Sequence, residues 1–250
     1  METKRKKFQG ALNILSFNRH FYIIGLTLLM FLIMIKIKFG FPDYIFWIIF
    51  TGFIYGLMMP LIVSAYVYDF SGYYNFDWLN NCNTSSLGSK EIININAGFD
   101  ETSFILKKNF PNSNLSVFDF YNPKQHTETA IKRARKVSFT YPNTKQIKSD
   151  TIPLEDKSVD IIFLLSATHE IRRFDEKISF LKECHRVCKT DGKVIMVEHL
   201  RDLPNFMAFT VGFTHFFSRE VWKKGFKKAG FSSFKESKFT PFISIFQYTP

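Results

Sequence analysis

The stretch that decides the fold is residues 154–202, LEDKSVDIIFLLSATHEIRRFDEKISFLKECHRVCKTDGKVIMVEHLRD. It contains two short apolar runs, Val159 to Leu165 and Val194 to Val197, both rich in β-branched residues. A helical pattern over 174–189 lies between them. Strand, helix and strand of this kind form a βαβ unit, whose strands run parallel and are buried on both faces.

Working outward, Ile92 to Ile95 and Leu115 to Phe118 are runs of the same type, with helical patterns near 101–110 and 124–136. Strand and helix thus alternate, which predicts an α/β domain over 91–250 with helices on both faces of a mostly parallel sheet. The end departs from this rhythm. A helix near 219–229 precedes two strand-like runs, 232–238 and 242–248, that can pair antiparallel. No internal repeat is present.

The first ninety residues read differently. A basic arm, residues 1–20, contains Lys4, Arg5, Lys6, Lys7 and Arg19. Uncharged runs follow at Phe21 to Ile35 and Tyr44 to Tyr68, separated by Lys36, Lys38 and a turn with Gly40, Pro42 and Asp43. Roughly 20 apolar residues cross a bilayer core. The expectation is therefore a two-helix transmembrane hairpin over about 21–39 and 44–68, with the lysines snorkelling to the headgroups. Pro60 is tolerable in such a helix. The basic arm belongs on the cytoplasmic side, so the hairpin returns the α/β domain to the cytoplasm, a multi-pass inner-membrane arrangement. Residues 69–90 read as a polar and aromatic connector.

The formal net charge of +11 is spread along a chain with 31 phenylalanines, which suits an anionic membrane surface better than nucleic acid. No nucleic-acid partner is expected. The three cysteines, Cys82, Cys184 and Cys188, have no metal-ligand spacing and argue against a disulfide framework. Cys184 and Cys188 lie one helical turn apart, either as a redox pair or, more commonly, as small buried apolar groups. No metal site is expected.

In an open α/β sheet the ligand sits beyond the carboxyl ends of the strands, which directs attention to the first turn. That turn runs Asn94, Ile95, Asn96, Ala97, Gly98, Phe99, Asp100. Close backbone approach to a nucleotide favours glycine. Only Gly98 is one, while Asn96 and Asp100 stand at the other glycine spacings and tolerate left-handed backbone better than most residues. A plain strand-to-helix loop reads the same way. Asp119, about twenty residues on, is placed to accept hydrogen bonds from both ribose hydroxyls of a nucleoside, or to cap the next helix.

The order of pieces in 154–202 resembles class I S-adenosylmethionine-dependent methyltransferases, in which a Pro-Phe-x-Asp-x-Ser-Phe-Asp turn precedes the fourth strand and Arg-Val-Leu-Lys-Pro-Gly-Gly the fifth. It looks especially like membrane-associated bacterial members related to ubiquinone and menaquinone methyltransferases. The resemblance covers about 91–250. It implies a Rossmann-like seven-stranded sheet with an antiparallel last strand, and S-adenosylmethionine (SAM) as cofactor. It also implies cofactor-binding roles for Asn94, Asn96, Ala97, Gly98 and Asp100 in the first motif, Asp119 at the ribose and Phe120 against the adenine. Ser149 or Asp150 would reach the adenine amino group, with Ser166 at the end of the fourth strand. Thr190 and Asp191 replace the family's Pro-Gly, and Asn94 its usual acidic residue.

Methyl transfer from a sulfonium needs positioning, desolvation and a nucleophile with a free lone pair. An acidic acceptor also needs a base. His169 and His199, after the fourth and fifth strands, are the candidates, since histidine titrates near neutrality. His185 reads as a surface residue. Arg201 and Asp202 either orient an acceptor or pair with each other. The aromatic stretch Phe206 to Phe217, with His215, reads as a lid or acceptor pocket, or as ordinary packing. A membrane hairpin raises the effective concentration of membrane-soluble molecules at the domain, so a lipophilic acceptor is expected: a quinone precursor, an aromatic polyene or a lipid. The rival expectation is a non-catalytic, membrane-tethered assembly protein on the same fold.

Overall fold

The computed structural model describes residues 5–82 and 90–250. Four parallel strands form where the apolar runs predict them: β1 (Glu91–Asn96), β2 (Asn114–Asp119), β4 (Val159–Leu165) and β5 (Cys188–His199). β3 is only Lys145–Gln146, paired to Phe118 and Asp119, and no apolar run marks it. β6 (Ser233–Thr240) and β7 (Ile243–Thr249) form the C-terminal hairpin, and β7 inserts antiparallel beside β5. The seven strands stand in the order β3-β2-β1-β4-β5-β7-β6. This is the expected Rossmann-like sheet with one antiparallel strand.

β5 starts earlier than expected. Cys188 pairs with Val159 and Lys193 with Ile161, so Lys189 to Gly192 bulges out where the family's Pro-Gly turn is replaced by Thr190-Asp191. A bulge of this kind absorbs extra residues without breaking the pairing on either side.

Helices cover both faces. On one side α5 (Thr129–Arg135), α6 (Phe174–Val187) and α8 (Arg219–Ala229) bury Ile131, Phe180, Leu181, Cys184, Trp222 and Phe226 against Ile93, Ile95, Ile162 and Val194. On the other, α4 (Ser103–Asn109) and α7 (Leu203–Phe209) bury Leu106 and Ala208 against Ile92, Phe163, Ile195 and Ile245. Cys184 and Cys188 are buried free thiols. Burial pushes the Cys184 thiol well up and that of Cys188 up to about 12, which leaves both inert as nucleophiles and fits the apolar role.

The N-terminal segment holds three helices. α1 (Gln9–Phe17) lies within the residues read as a basic arm, with Phe17 packed edge-on against Phe99. α2 (Arg19–Phe39) and α3 (Asp43–Ala65) are both long and apolar enough to cross a membrane, and few of their residues are buried. They are joined at Gly40, whose φ of +63° ends α2, and Lys36 pairs with Asp43 across the turn. α3 then winds on through a π-turn (Tyr66–Phe70) and short 3-10 turns (Tyr73–Asn75 and Asp77–Cys82). Tyr73, Phe76, Trp78 and Cys82 are buried in the sheet's second core, so the residues read as a connector are structural through Cys82. The end of that connector, residues 83–89, lies outside the described residues.

Candidate active site

The carboxyl ends of β1, β2, β4 and β5 converge on one edge of the sheet, with loops that divide into two halves. The first half is the turn after β1. Gly98 adopts φ +80°, which a Cβ would strain, and its N–H donates to Asn96 Oδ1 at 2.7 Å. Asp100 Oδ1 accepts from the N–H groups of Thr102 (3.0 Å) and Ser103 (2.9 Å), fixing the entry to α4. Asn94, inside β1, donates through Nδ2 to Ser103 Oγ at 2.8 Å. Three atoms of this turn are buried without a partner: Asn94 Oδ1, Asn96 Nδ2 and Asp100 Oδ2. Buried polar groups are nearly always paired, so such a cluster calls for a ligand.

Asp119 closes the other side of the turn. Its Oδ1 accepts from Tyr121 N–H at 2.9 Å, and its Oδ2 takes the Arg135 guanidinium at 2.7 Å. The same Nη1 of Arg135 donates to Ala97 O at 2.8 Å, while the guanidinium lies 4.1 Å over the Tyr121 ring and against Gly98. A polar nucleoside with an amino-acid tail fits these residues. Asn94 Oδ1 and Asp100 Oδ2 are acceptors suited to an ammonium, Asn96 Nδ2 is a donor suited to a carboxylate, and Asp119 is an acceptor suited to ribose hydroxyls once the flexible Arg135 side chain moves aside.

The expected adenine contacts fare differently. Phe120 is turned into the core between His126 and Phe180 and is 1 % exposed, because the chain alternates as it leaves β2; Tyr121 is the ring that lines the turn. Ser149 donates to Glu176 Oε1 at 2.7 Å, and Asp150 is exposed and accepts from Thr151 Oγ1. Neither approaches the first motif through a hydrogen bond. Ser166 sits at φ +50°, and its Oγ is 3.0 Å from the Tyr73 hydroxyl.

The second half lies after β4 and β5. Glu198, 1 % exposed, accepts through Oε1 from the N–H groups of Thr168 (3.0 Å) and His169 (3.2 Å), and through Oε2 from His169 Nδ1 at 2.7 Å. A buried carboxylate with three donors is well compensated. Burial alone would push His169 down, but Glu198, Glu170 and Glu128 outweigh it, and the imidazole is held above its ordinary range. The 3-10 turn Thr210–His215 brings His215 onto His169, with ring centroids 4.8 Å apart. His215 Nδ1 bonds Glu128 Oε2 at 2.7 Å. Glu170 Oε1 faces both Nε2 atoms, at 3.6 Å from His169 and 4.0 Å from His215, and Glu170 Oε2 is buried without a partner.

His199, expected as a base, has no free nitrogen. Its Nδ1 bonds Asn205 Oδ1 at 2.9 Å, which makes it the donor, so Nε2 accepts from the Tyr68 hydroxyl at 2.9 Å. Burial drives its pKa down to about 4 against a bond to Asn205 that raises it, and Phe216 stacks on its ring. The residue therefore holds the π-turn after α3 onto the sheet edge. Arg201 and Asp202 do not pair with each other: Arg201 Nε donates to Phe216 O, and Asp202 caps α7 at Asn205 and pairs with Lys238.

Tyr68, Tyr73, Tyr74, Glu101 and Arg135 escape a sequence reading. Tyr74 donates to Glu101 Oε2 at 2.6 Å, and Arg5 and Gln9 meet Glu101 Oε1 at 2.9 Å each, so the N-terminal segment is laced across the turn after β1. The only signal in the sequence is the tyrosine density after the second apolar run.

Residues 106–196 match the family model of a methyltransferase domain. A search of curated protein sequences returns no match. Among solved structures, the chain is similar to a SAM-dependent methyltransferase from Aquifex aeolicus, with 17 % identity, a TM-score of 0.52, and coverage of 72 % of this chain and 93 % of that one. The PH0226 protein from Pyrococcus horikoshii is similar at 16 % identity and TM-score 0.52, covering 74 % and 98 %. Human N-acetylserotonin methyltransferase in complex with SAM is similar at 14 % identity and TM-score 0.50, covering 90 % and 66 %. At these identities the structural likeness speaks for the fold, and the family match over β2 to β5 for the activity. Residues 106–196 carry a methyltransferase domain, and the fold around them is similar to that of SAM-dependent methyltransferases.

Proposed function

We propose that the protein transfers a methyl group from SAM to a lipophilic acceptor drawn from a membrane in which α2 and α3 are embedded. The observation that carries this reading is the seat of α7. Tyr55 Oη, in the middle of α3, donates to Met207 O at 2.6 Å. Ten residues separate Tyr55 from the end of α3, so the contact lies about 15 Å along the helix from that end. The α7 segment therefore runs beside the apolar helix, and its outward residues Leu203, Phe206, Met207 and Val211 are exposed. An apolar strip of this kind, continuous with a membrane helix, is suited to lipid. From it the chain passes through Phe213 directly to His215 and the second half of the site.

When bound at the first half, SAM supplies an electrophilic methyl on its sulfonium. Asp119 and the Asn94–Asp100 turn hold the donor, and the Tyr68–Tyr73–Tyr74 cluster covers the sheet edge and excludes water. Glu198 fixes His169 with Nδ1 as the hydrogen-bond donor, leaving the Nε2 lone pair facing Glu170 and His215. That nitrogen is the base that takes the proton of an acceptor hydroxyl as its oxygen gains the methyl.

The test is transfer of radiolabelled methyl from SAM by the full chain in lipid nanodiscs supplied with a total membrane lipid extract. Label in the organic-soluble fraction is expected. SAM binding without any organic-soluble label would overturn the lipophilic acceptor.

A further inference from the structure

The geometry points to a divalent-cation site formed by His169 Nε2, His215 Nε2 and one carboxylate oxygen of Glu170, with a coordination position left open. One potential ligand atom from each of the three residues lies within 4.8 Å of the others. Glu170 Oε1 is 3.6 Å from one Nε2 and 4.0 Å from the other, too long for good hydrogen bonds. Bonds of 2.0–2.1 Å to a tetrahedral zinc put ligand atoms about 3.4 Å apart, so the two glutamate–histidine pairs need to close by about 0.2 and 0.6 Å and the widest pair by up to about 1.4 Å, within reach of side-chain rotation.

Three further observations single out a cation rather than an accidental cluster. The first is the outer shell. Each histidine commits Nδ1 to a carboxylate, Glu198 for His169 and Glu128 for His215, both at 2.7 Å. Metal-binding histidines are ordinarily oriented in this way, with the second nitrogen bonded to a carboxylate and the first freed for the metal. The second is Glu170 itself, 5 % exposed, with Oε2 buried and unpartnered beside the two rings. An ionised carboxylate is costly in that state, and a cation supplies the missing partner. The third is charge. Among the described residues, Glu128, Glu170 and Glu198 gather around the two imidazoles with Arg172 as the fixed positive charge beside them, while burial lowers the Lys177 pKa to about 7, so the three carboxylates are incompletely offset.

Two imidazoles and one carboxylate suit zinc and its first-row neighbours rather than magnesium or calcium. Three protein ligands with a vacant position are the pattern of a metal that holds a reacting group, since structural zinc sites are closed by four. The ligands come from the 3-10 turn Thr168–Glu170 and from Thr210–His215, the segment that leads in from the lipid-facing strip. On the function proposed above, and resting on it, the open position takes the acceptor's oxygen. The cation would acidify that hydroxyl so that its proton passes to solvent water in place of His169 Nε2, and the oxygen would take the methyl as the methyl–sulfur bond breaks and S-adenosylhomocysteine leaves, which favours an acidic hydroxyl such as a phenol.

The test uses the full chain in detergent micelles, freed of any tag, stripped with chelator and titrated without SAM. Isothermal titration with Zn2+ should give one tight site per chain, and Co2+ should give the visible bands of a four- or five-coordinate nitrogen and oxygen site. His215→Gln and Glu170→Gln should weaken Zn2+ by roughly 100-fold or more, and Glu128→Gln, on a half-exposed side chain, by about 10- to 100-fold. His185→Gln, outside the cluster, should leave it unchanged. Absence of a Co2+ spectrum in the folded wild type, or equal Zn2+ affinity in wild type, His215→Gln and Glu170→Gln, overturns the site. Metal binding and methyl transfer are read separately: tight Zn2+ with no label in lipid upholds the cation and sinks the acceptor reading. Label that persists in a chain shown to bind no metal does the reverse.

Discussion

Removing the Arg135 guanidinium should make SAM bind more tightly. The carboxylate proposed for the ribose hydroxyls is already taken: Arg135 Nη1 donates to Asp119 Oδ2 at 2.7 Å and to Ala97 O at 2.8 Å. Both bonds must be given up before the nucleoside is seated. A hydrogen bond to a charged group contributes about 1.5–3 kcal/mol when shielded, and an exposed ion pair well under 1. Asp119 is 9 % exposed at its side chain and Arg135 27 %, so the pair lies between these limits, and partial solvation of the released guanidinium returns some of the loss. A net cost near 1–2 kcal/mol corresponds to about 5- to 30-fold in affinity. Isothermal titration of the full chain with SAM and S-adenosylhomocysteine should therefore show Arg135→Ala tighter by that factor and Arg135→Lys intermediate. Asp119→Ala should abolish binding. Unchanged or weaker affinity in a folded Arg135→Ala chain refutes the reasoning and makes Arg135 a cofactor ligand or a bystander.

Acid should loosen the junction between the apolar helices and the domain through His199. Its pKa lies near 4 in the fold against an ordinary 6.5, so the unfolded chain binds the extra proton; stability is complete above about pH 6.5 and falls as pH drops towards 4. The loss is about 2 kcal/mol at pH 5, and a thermal melt at pH 7 and pH 5 should show a smaller drop for His199→Asn than for wild type. Gly98→Ala should weaken SAM binding at least tenfold and cost roughly 1–2 kcal/mol, because φ is +80° there and the new Cβ meets the Arg135 guanidinium and Asp119 Oδ2; equal affinity by titration counts against the turn. Leu203→Glu with Val211→Glu should raise KM for a nanodisc-borne acceptor with kcat and SAM affinity unchanged, and an unaltered KM removes α7 from the acceptor route.

The fold was legible because its strands are apolar runs with no competing period, and because 154–202 contains a whole βαβ unit. β3 was not, since two exposed residues held by pairing alone carry no pattern. α1 and α7 were missed for a different reason: both are short, and their stability comes from packing against α3, a tertiary term that local sequence does not contain. At the candidate site, the placement of Asp119, the asparagine-rich turn and His169 at strand ends was legible from the sequence. Phe120 and His199 went astray because a residue at a strand end faces either the edge or the core, and which one is decided by neighbours such as Tyr68, Asn205 and Phe180. His215 and Glu170 are 45 residues apart in sequence and meet only in space.

The two halves of the site are bound to the apolar hairpin by different contacts, and this gives the N-terminal segment a meaning beyond attachment. Asp69, at the end of α3's extension, accepts from the N–H of Gly10 in α1 at 2.9 Å, and Arg5 and Gln9 reach Glu101 in the turn after β1. Arg133 on α5 donates to Phe17 O at 2.7 Å, two residues from Arg135, the side chain that pairs with Asp119. On the other half, Tyr68 holds His199 and Tyr55 holds Met207. A chain cut at the end of the hairpin therefore loses partners of Glu101, Arg133 and His199 together, and buried groups left unpaired cost more than the bonds contributed. The α/β domain and the apolar helices form one structural unit, so cofactor and metal measurements belong on the full chain.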